Sequence, residues 1–228
     1  GPKSRDLISK LSKEDFSNNK FKFATSKNIK INDKTVWTQR LSYVGELGYE
    51  LYIKKSEAKE IYNLIIEKGK DFKLSHCGAH AMDTMRMESG FLHWGHDISP
   101  EENQYQAGLN FAISYKKEVD FIGKKAVEKI KTKKLDRRFA MFTLQNNKPG
   151  EPLLLHEEPI YLEDKIIGKT TSGNYSFNFN KNLTFGYIKT DLTNKELVGK
   201  ELFVEVEKQK HPISVQLEPL KRTDFKNL

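Results

Sequence analysis

The feature that most constrains the fold is a run of short hydrophobic segments between residues 137 and 217. Six of them alternate with turn residues: RRFAMFTLQ, EPIYL, KIIGKTTSG, LTFGYIK, ELFVEV and HPISVQL. Short segments rich in β-branched and aromatic residues are typical of strands, and strands so closely spaced form barrels or sandwiches. The last part of the chain is therefore predicted to be a small all-β unit.

The first part of the chain mixes helical and strand patterns. Strands are predicted between Lys20 and Tyr43, beginning with FKFAT and including a turn at Asn32-Asp33. Apolar residues at helical spacing predict helices over residues 1–19, over Glu57–Lys68 with Gly69 closing it, over Cys77–Glu88 ended by Ser89-Gly90, and over Gly123–Lys133. We therefore place a domain boundary near residue 135, between an α+β domain of residues 1–135 and a β domain of residues 136–228.

The stretch SYVGELGYELYI raises a question about Glu50. Its residues alternate, so Leu47, Tyr49, Leu51 and Ile53 are predicted on one face of a strand, and Gly48, Glu50 and Tyr52 on the other. Gly45 and Gly48 stand just before the strand, where a chain turns sharply or lets another group approach closely. A lone glutamate on a wet strand face is normally an ordinary surface residue, and a ligand role is the alternative.

Composition excludes several classes of protein. The chain has 228 residues, of which 37% are hydrophobic and 31% charged, enough for one large or two modest cores. No window approaches the roughly 18 apolar residues of a membrane span, and no leader for export is evident. Cys77 is the only cysteine, and no Cys/His cluster has zinc spacing. We therefore expect a cytoplasmic protein without membrane contact.

Two further absences concern cofactors and catalysis. No glycine-rich phosphate loop follows a strand, and no serine or cysteine lies in a known nucleophile motif. The segment Lys116–Arg138 contains ten Lys and Arg against four Asp and Glu. We interpret it as a solvated helix and linker, with a site for a polyanion as the alternative. Nucleic acid is not expected, because the segment lacks interleaved aromatic residues for stacking bases.

Two local clusters have competing interpretations. In the helix CGAHAMDTMRMESG, we expect Cys77, Ala81 and Met85 in the core, and Asp83 paired with Arg86 three residues later. In HWGHDIS, two histidines and an aspartate form at best a weak metal site. We expect no metal there, and we expect His76 and His80 to be surface or capping residues.

Several blocks in order resemble the folate-binding aminomethyltransferase family, which includes the T-protein of glycine cleavage. The blocks are GPKSRDLI, SYVGELGYEL, GAHAMDTMRMESGFLHWGHDIS, QAGLNFAI, DFIGKKA, EPIYLEDKIIGKTTSGNYS and LTFGYI. YVGELG and WGHD are most similar to the version fused behind flavin domains in dimethylglycine and sarcosine dehydrogenases. The resemblance covers residues 1 to about 220 and implies an α+β fold with a small C-terminal β-barrel.

The resemblance also implies a tetrahydrofolate site. The glutamate matching Glu50 holds the pteridine ring, whose two-donor edge fits the two acceptors of a carboxylate. Tyr43 matches a tyrosine beside the same ligand. The resemblance further implies that HWGHDIS is a loop that closes over the substrate, with Trp94 as a flat wall. Arg86 matches a family arginine that we interpret as structural, with a ligand role as the alternative. At Met82, glycine-cleavage members tend to carry an arginine, which argues against that activity here.

The resemblance implies a reaction and its partners. In the dehydrogenase relatives a flavin domain oxidises an N-methylated amine to an iminium, and tetrahydrofolate takes the carbon as 5,10-methylenetetrahydrofolate. Family members begin upstream of GPKSR, where their catalytic aspartate lies. We therefore expect a part of a longer protein that alone is inactive and binds folate weakly, with a variant that works with a partner as the alternative. FAD is expected only if a dehydrogenase domain or partner exists. The alternatives are a glycine-cleavage aminomethyltransferase, another folate-dependent demethylase, or a non-catalytic folate-binding module.

Overall fold

The computed structural model describes residues 1–145 and 148–224. The chain forms two compact units, one of residues 1–89 with the segment that begins at Lys221, the other of residues 90–220. No helix in the described ranges is long and apolar enough to span a membrane. The boundary predicted near residue 135 falls in the second unit and remains a prediction.

The first unit combines three helices with one antiparallel sheet. Its elements in chain order are α1 (Ser4–Leu11), β1 (Ser26–Ile31), β2 (Lys34–Gln39), β3 (Glu50–Tyr52), α2 (Lys55–Gly69) and α3 (Ala79–Glu88). The strands lie in the order β1-β2-β3. The predicted turn at Asn32-Asp33 is confirmed: Asn32 has a φ of 50° and β1 pairs directly with β2.

One face of this sheet forms the core of the first unit. Ile29 and Ile31 of β1 and Val36 of β2 are buried together with Ile8 of α1 and Ile61 of α2. Fully burying an aliphatic side chain stabilises the fold by about 1.5–3 kcal/mol. Because side chains alternate along a strand, the burial of these residues sends the intervening side chains to the opposite, outer face.

Two predictions for elements of the first unit are wrong. α1 ends at Leu11 rather than near residue 19, and Phe21–Thr25 forms turns rather than a strand. The predicted end of α2 at Gly69 is confirmed, but Gly69 keeps a helical φ of −68° and a 3₁₀ turn follows over Lys70–Phe72. Lys73 takes the left-handed conformation instead, with a φ of 57°.

The core prediction for α3 is also wrong in part. Cys77 and Ala81 are exposed and Met85 is half-buried, whereas Met87 is buried. The predicted end of the helix at Ser89-Gly90 is confirmed, since Gly90 has a φ of +72°.

The second unit places irregular segments and one helix before a barrel. A 3₁₀ turn at Asn110–Ala112 precedes α4 (Lys124–Lys131), which contains no buried residue. Six strands follow: β4 (Arg138–Leu144), β5 (Pro159–Leu162), β6 (Lys165–Ser176), β7 (Lys181–Ile188), β8 (Leu202–Val206) and β9 (Gln209–Gln216). They close in the order β4-β7-β6-β5-β8-β9. The predicted fold class, α+β with a C-terminal β-barrel, is confirmed.

The barrel interior is mainly aliphatic, with Phe142 among its buried residues. Ile160, Ile188 and Val204 have no exposed surface. Gly168 lies against β7, where any added Cβ would overlap the carbonyl oxygen of Tyr187. Glycine at this position therefore lets β6 and β7 approach each other closely. The register of β5 against β6 shifts at the same place, next to the pair of Ile160 and Gly168.

Candidate functional site

The outer face of the three-stranded sheet brings Glu50 together with two aromatic side chains. Trp37 of β2 lies directly opposite Tyr52 of β3, and Gln39 lies opposite Glu50 in the next pair on the same face. The alternation predicted for this strand is therefore confirmed: Glu50 and Tyr52 point outward, while Leu51 packs against the core.

The carboxylate of Glu50 is held by its neighbour on the same face. The hydroxyl of Tyr52 donates a hydrogen bond to Oε2 of Glu50 at 2.7 Å. This bond stabilises the protonated phenol and raises the pKa of Tyr52 above its ordinary value. It uses one acceptor site of a carboxylate that offers about four, so the group can still accept two donors from a ligand.

The two rings beside Glu50 form a continuous aromatic surface. The centroids of Trp37 and Tyr52 lie 4.7 Å apart with a tilt of 39°. Trp37 keeps 44% and Tyr52 47% of its surface exposed, which is high for side chains of this size. An oriented carboxylate next to an exposed aromatic surface can bind a flat heterocycle that has donors along one edge.

The loop between β2 and β3 contains Tyr43, which is half-buried. Gly45 has a φ of +65°, and an added Cβ there would overlap the side chain of Ser89. The N-terminal amino group of Gly1 donates to the carbonyl of Leu47 at 2.8 Å and fixes the far end of the loop. The expectation that a glycine here permits close approach is confirmed for Gly45.

Arg86 lies inside the first unit. It is 1% exposed, and its Nε donates to Oδ1 of Asp83 at 2.7 Å. This confirms the pairing predicted from their spacing along α3. A guanidinium so buried and paired orients the helix, which favours its structural interpretation over a ligand role.

Trp94 belongs to the second unit and is 66% exposed. It lies in a turn that a buried carboxylate holds in place: Asp97 accepts from the backbone N–H of His93 at 2.9 Å and from the hydroxyls of Thr171 at 2.5 Å and Ser172 at 2.8 Å. The turn therefore presents the indole of Trp94 to solvent from a fixed backbone.

Three imidazoles follow one another beside this turn. The ring centroids of His93 and His96 lie 4.6 Å apart, and those of His96 and His156 lie 6.3 Å apart. Among the residues that the structure describes, no group of three or more His, Cys, Asp or Glu side chains is arranged to hold a metal ion.

A cleft of about 650 Å³ opens in the second unit. At its wall Nη2 of Arg137 donates to Oε1 of Glu102 at 2.7 Å, and Lys169 pairs with Glu157 at 2.5 Å. The buried hydroxyl of Tyr187 has no hydrogen-bond partner among the residues that the structure describes, and burial raises its pKa far above the ordinary value. Since these charges largely pair with each other, the cleft offers a weaker recognition pattern than Glu50 and its aromatic neighbours.

The sequence prediction missed Trp37 and Tyr52 as members of the site. The period of two already placed Tyr52 on the face of Glu50, so its position was available without a structure. The position of Trp37 was not available in this way, because its place opposite Tyr52 depends on the register between two strands that the loop of residues 40–49 separates.

Comparisons with known proteins agree on one family. The model of the GCVT N-terminal domain matches residues 1–117, and that of the glycine cleavage T-protein C-terminal barrel domain matches residues 137–221. The chain is 35% identical over 224 residues to mitochondrial dimethylglycine dehydrogenase of Rattus norvegicus, covering 98% of this chain and 25% of that protein. It is 32% identical over 188 residues to mitochondrial sarcosine dehydrogenase of Homo sapiens, covering 82% of this chain and 20% of that protein.

A solved structure shows the same fold. The chain aligns with the glycine cleavage system aminomethyltransferase T from Bartonella henselae with a TM-score of 0.80 at 22% identity, covering 96% of this chain and 57% of that chain. The chain thus spans about a quarter of the length of the dimethylglycine dehydrogenase that it matches.

Proposed function

Because this chain belongs to the glycine cleavage T-protein family, we propose that it is the tetrahydrofolate-binding part of an aminomethyltransferase-like protein. The one-carbon unit that the folate accepts comes from the oxidative demethylation of an N-methylated glycine. Two relatives of the chain, dimethylglycine dehydrogenase and sarcosine dehydrogenase, are named for substrates of this kind. The product is 5,10-methylenetetrahydrofolate.

The observation that carries this proposal is the position and orientation of the carboxylate of Glu50. It lies exposed on the outer face of the sheet, oriented by Tyr52 at 2.7 Å. The pteridine ring presents a ring N–H and an exocyclic amino group side by side, and a carboxylate accepts two such parallel donors. The exposed rings next to it supply apolar contact for the flat heterocycle.

The proposed reaction needs positioning more than acid or base chemistry. The two nitrogens of tetrahydrofolate attack the iminium carbon in turn and lose one proton each. One of these protons goes to the amine as its bond to the carbon breaks, and the other goes to solvent. Holding the folate amine against the iminium replaces a bimolecular encounter in water, where hydrolysis would release formaldehyde. The oxidation itself we assign to a flavin dehydrogenase domain or subunit, since a hydride acceptor is required.

The binding step is tested by equilibrium dialysis with 5-formyltetrahydrofolate, a stable folate with the same donor edge. Glu50→Gln replaces one acceptor by a donor that faces the donors of the ligand. We expect the variant to lose about 1–3 kcal/mol of binding free energy. Glu60→Gln is the matched control, because Glu60 is a surface carboxylate of α2 paired with Lys34. Absence of binding, or equal affinity of the parent and Glu50→Gln, would overturn the proposal.

A further inference from the structure

We infer that the paired rings of Trp37 and Tyr52 are the surface on which the pteridine ring lies, and that Tyr52 positions Glu50 to receive it. This inference rests on the proposed function and adds two residues to it. Tyr52 acts as a positioning residue through its hydroxyl, and Trp37 acts through direct stacking.

Strand register places the aromatic pair and the carboxylate side by side. Trp37↔Tyr52 and Gln39↔Glu50 are neighbouring pairs on one face. Residues two apart on a strand stand about 7 Å from each other on the same face. A bicyclic ring can therefore cover the aromatic pair while its donor edge meets the carboxylate.

Exposure distinguishes this aromatic pair from ordinary packing. The opposite face of the same sheet is closed by α1 and α2, so Trp37 and Tyr52 are not needed in the core of the first unit. Both rings are roughly half exposed, and their centroids lie 4.7 Å apart. Stacking of a flat heterocycle on exposed aromatic side chains tolerates such a tilted pair, because each ring offers its own face.

The hydroxyl of Tyr52 decides how the carboxylate is presented. Its hydrogen bond reaches Oε2 of Glu50, which restrains the torsion of a side chain that has no other hydrogen bond or ion pair in the described part of the chain. Restraining the carboxylate before binding reduces the ordering that a ligand must impose. Tyr52→Phe keeps the ring and removes this restraint alone.

The two tryptophans of the chain make the stacking directly measurable. In a Trp94→Phe background, Trp37 is the only tryptophan, and titration with 5-formyltetrahydrofolate should quench its fluorescence to saturation. Free N-acetyltryptophanamide gives the correction for absorption by the folate. Quenching should follow the same binding curve as equilibrium dialysis of that variant.

Substitutions then separate stacking from positioning. We expect Trp37→Ala to weaken binding roughly tenfold in dialysis, and Tyr52→Phe to weaken it by about threefold to tenfold with the fluorescence quenching at saturation unchanged. Tyr62→Phe is the control, since Tyr62 of α2 is 50% exposed and its hydroxyl bonds to His76 at 2.6 Å. Thermal melting of each variant verifies that it folds, and Trp37→Phe provides a milder substitution if Trp37→Ala does not.

The outcomes are distinguishable. If Glu50→Gln weakens binding while Trp37 is not quenched and Tyr52→Phe binds like the parent, the aromatic surface is wrong and the proposed function stands. If the parent binds no folate, both are wrong. Saturable quenching of Trp37 together with loss of affinity in Tyr52→Phe but not in Tyr62→Phe would support the inference.

Discussion

The hydroxyl of Thr171 donates a hydrogen bond to Oδ1 of Asp97 at 2.5 Å, although 74 positions separate the two residues. With the hydroxyl of Ser172, it ties the turn that contains Trp94 to strand β6 of the barrel. The position of that turn within its unit therefore depends on one buried carboxylate.

Removing this carboxylate should destabilise the second unit. Asp97→Ala leaves two hydroxyls and the N–H of His93 without their acceptor, at a cost of about 1–3 kcal/mol for a buried group left unsatisfied. Calorimetry should show a lower melting temperature for Asp97→Ala. Asp164→Ala is the control, because its carboxylate is fully exposed and solvent screens its ion pair with Lys210. Equal melting of the two variants would contradict the anchoring role.

The close contact between β6 and β7 gives a second prediction. Gly168→Ala places a methyl group against the carbonyl of Tyr187, so the strands must separate, at a cost of about 1–3 kcal/mol. Gly78→Ala is the matched control, since nothing lies within 4 Å of the added methyl group and its φ of −85° suits any residue. We expect the urea midpoint of unfolding to fall for Gly168→Ala and to stay unchanged for Gly78→Ala. An unchanged midpoint for Gly168→Ala would contradict the prediction, because it would show that the two strands separate at little cost.

We expect the stability of the second unit to depend on pH through the carboxyl group of Asp136. Nε2 of Gln106 donates to Oδ1 of Asp136 at 2.6 Å, and this hydrogen bond lowers the pKa of the carboxyl below its ordinary value of 3.8. A lowered pKa stabilises the folded state above the unfolded pKa, and the gain disappears as pH falls through the folded pKa. Asp136→Asn should therefore be less stable than the parent at neutral pH, with a gap that shrinks below pH 3.8. A gap that is constant with pH would contradict this assignment.

The domain boundary predicted near residue 135 is tested by limited proteolysis. Trypsin should cleave within Lys129–Arg138 before it cleaves the barrel, because this charged segment has few buried side chains. Mass spectrometry identifies the first cuts. First cuts inside residues 139–217 would rule out the boundary near residue 135.

The fold was predictable where its signals are local. The barrel strands repeat a short pattern that each segment shows by itself, and the alternation around Glu50 is visible in seven residues. Helix ends were less predictable in their conformation, since a 3₁₀ turn follows α2 after Gly69 and Lys73 takes the left-handed conformation. Cys77 and Ala81 were wrongly placed in the core, because which side of α3 is covered depends on its packing partners and not on its own spacing.

The site was predictable only in part. The motif singled out Glu50, and the strand period gave its direction. Its contact with the Trp37–Tyr52 pair depends on strand register, and the burial of Asp97 depends on a partner from the barrel. Both are long-range relationships that no window of the sequence contains.

The most direct test of the central claim is a crystal structure of the protein with 5-formyltetrahydrofolate at a concentration that saturates binding in solution. Our account predicts density for the pteridine over Trp37 and Tyr52, with its ring N–H and amino group at about 2.7–3.0 Å from the carboxylate of Glu50. Density for the pteridine elsewhere, with the carboxylate of Glu50 still facing solvent, would contradict it.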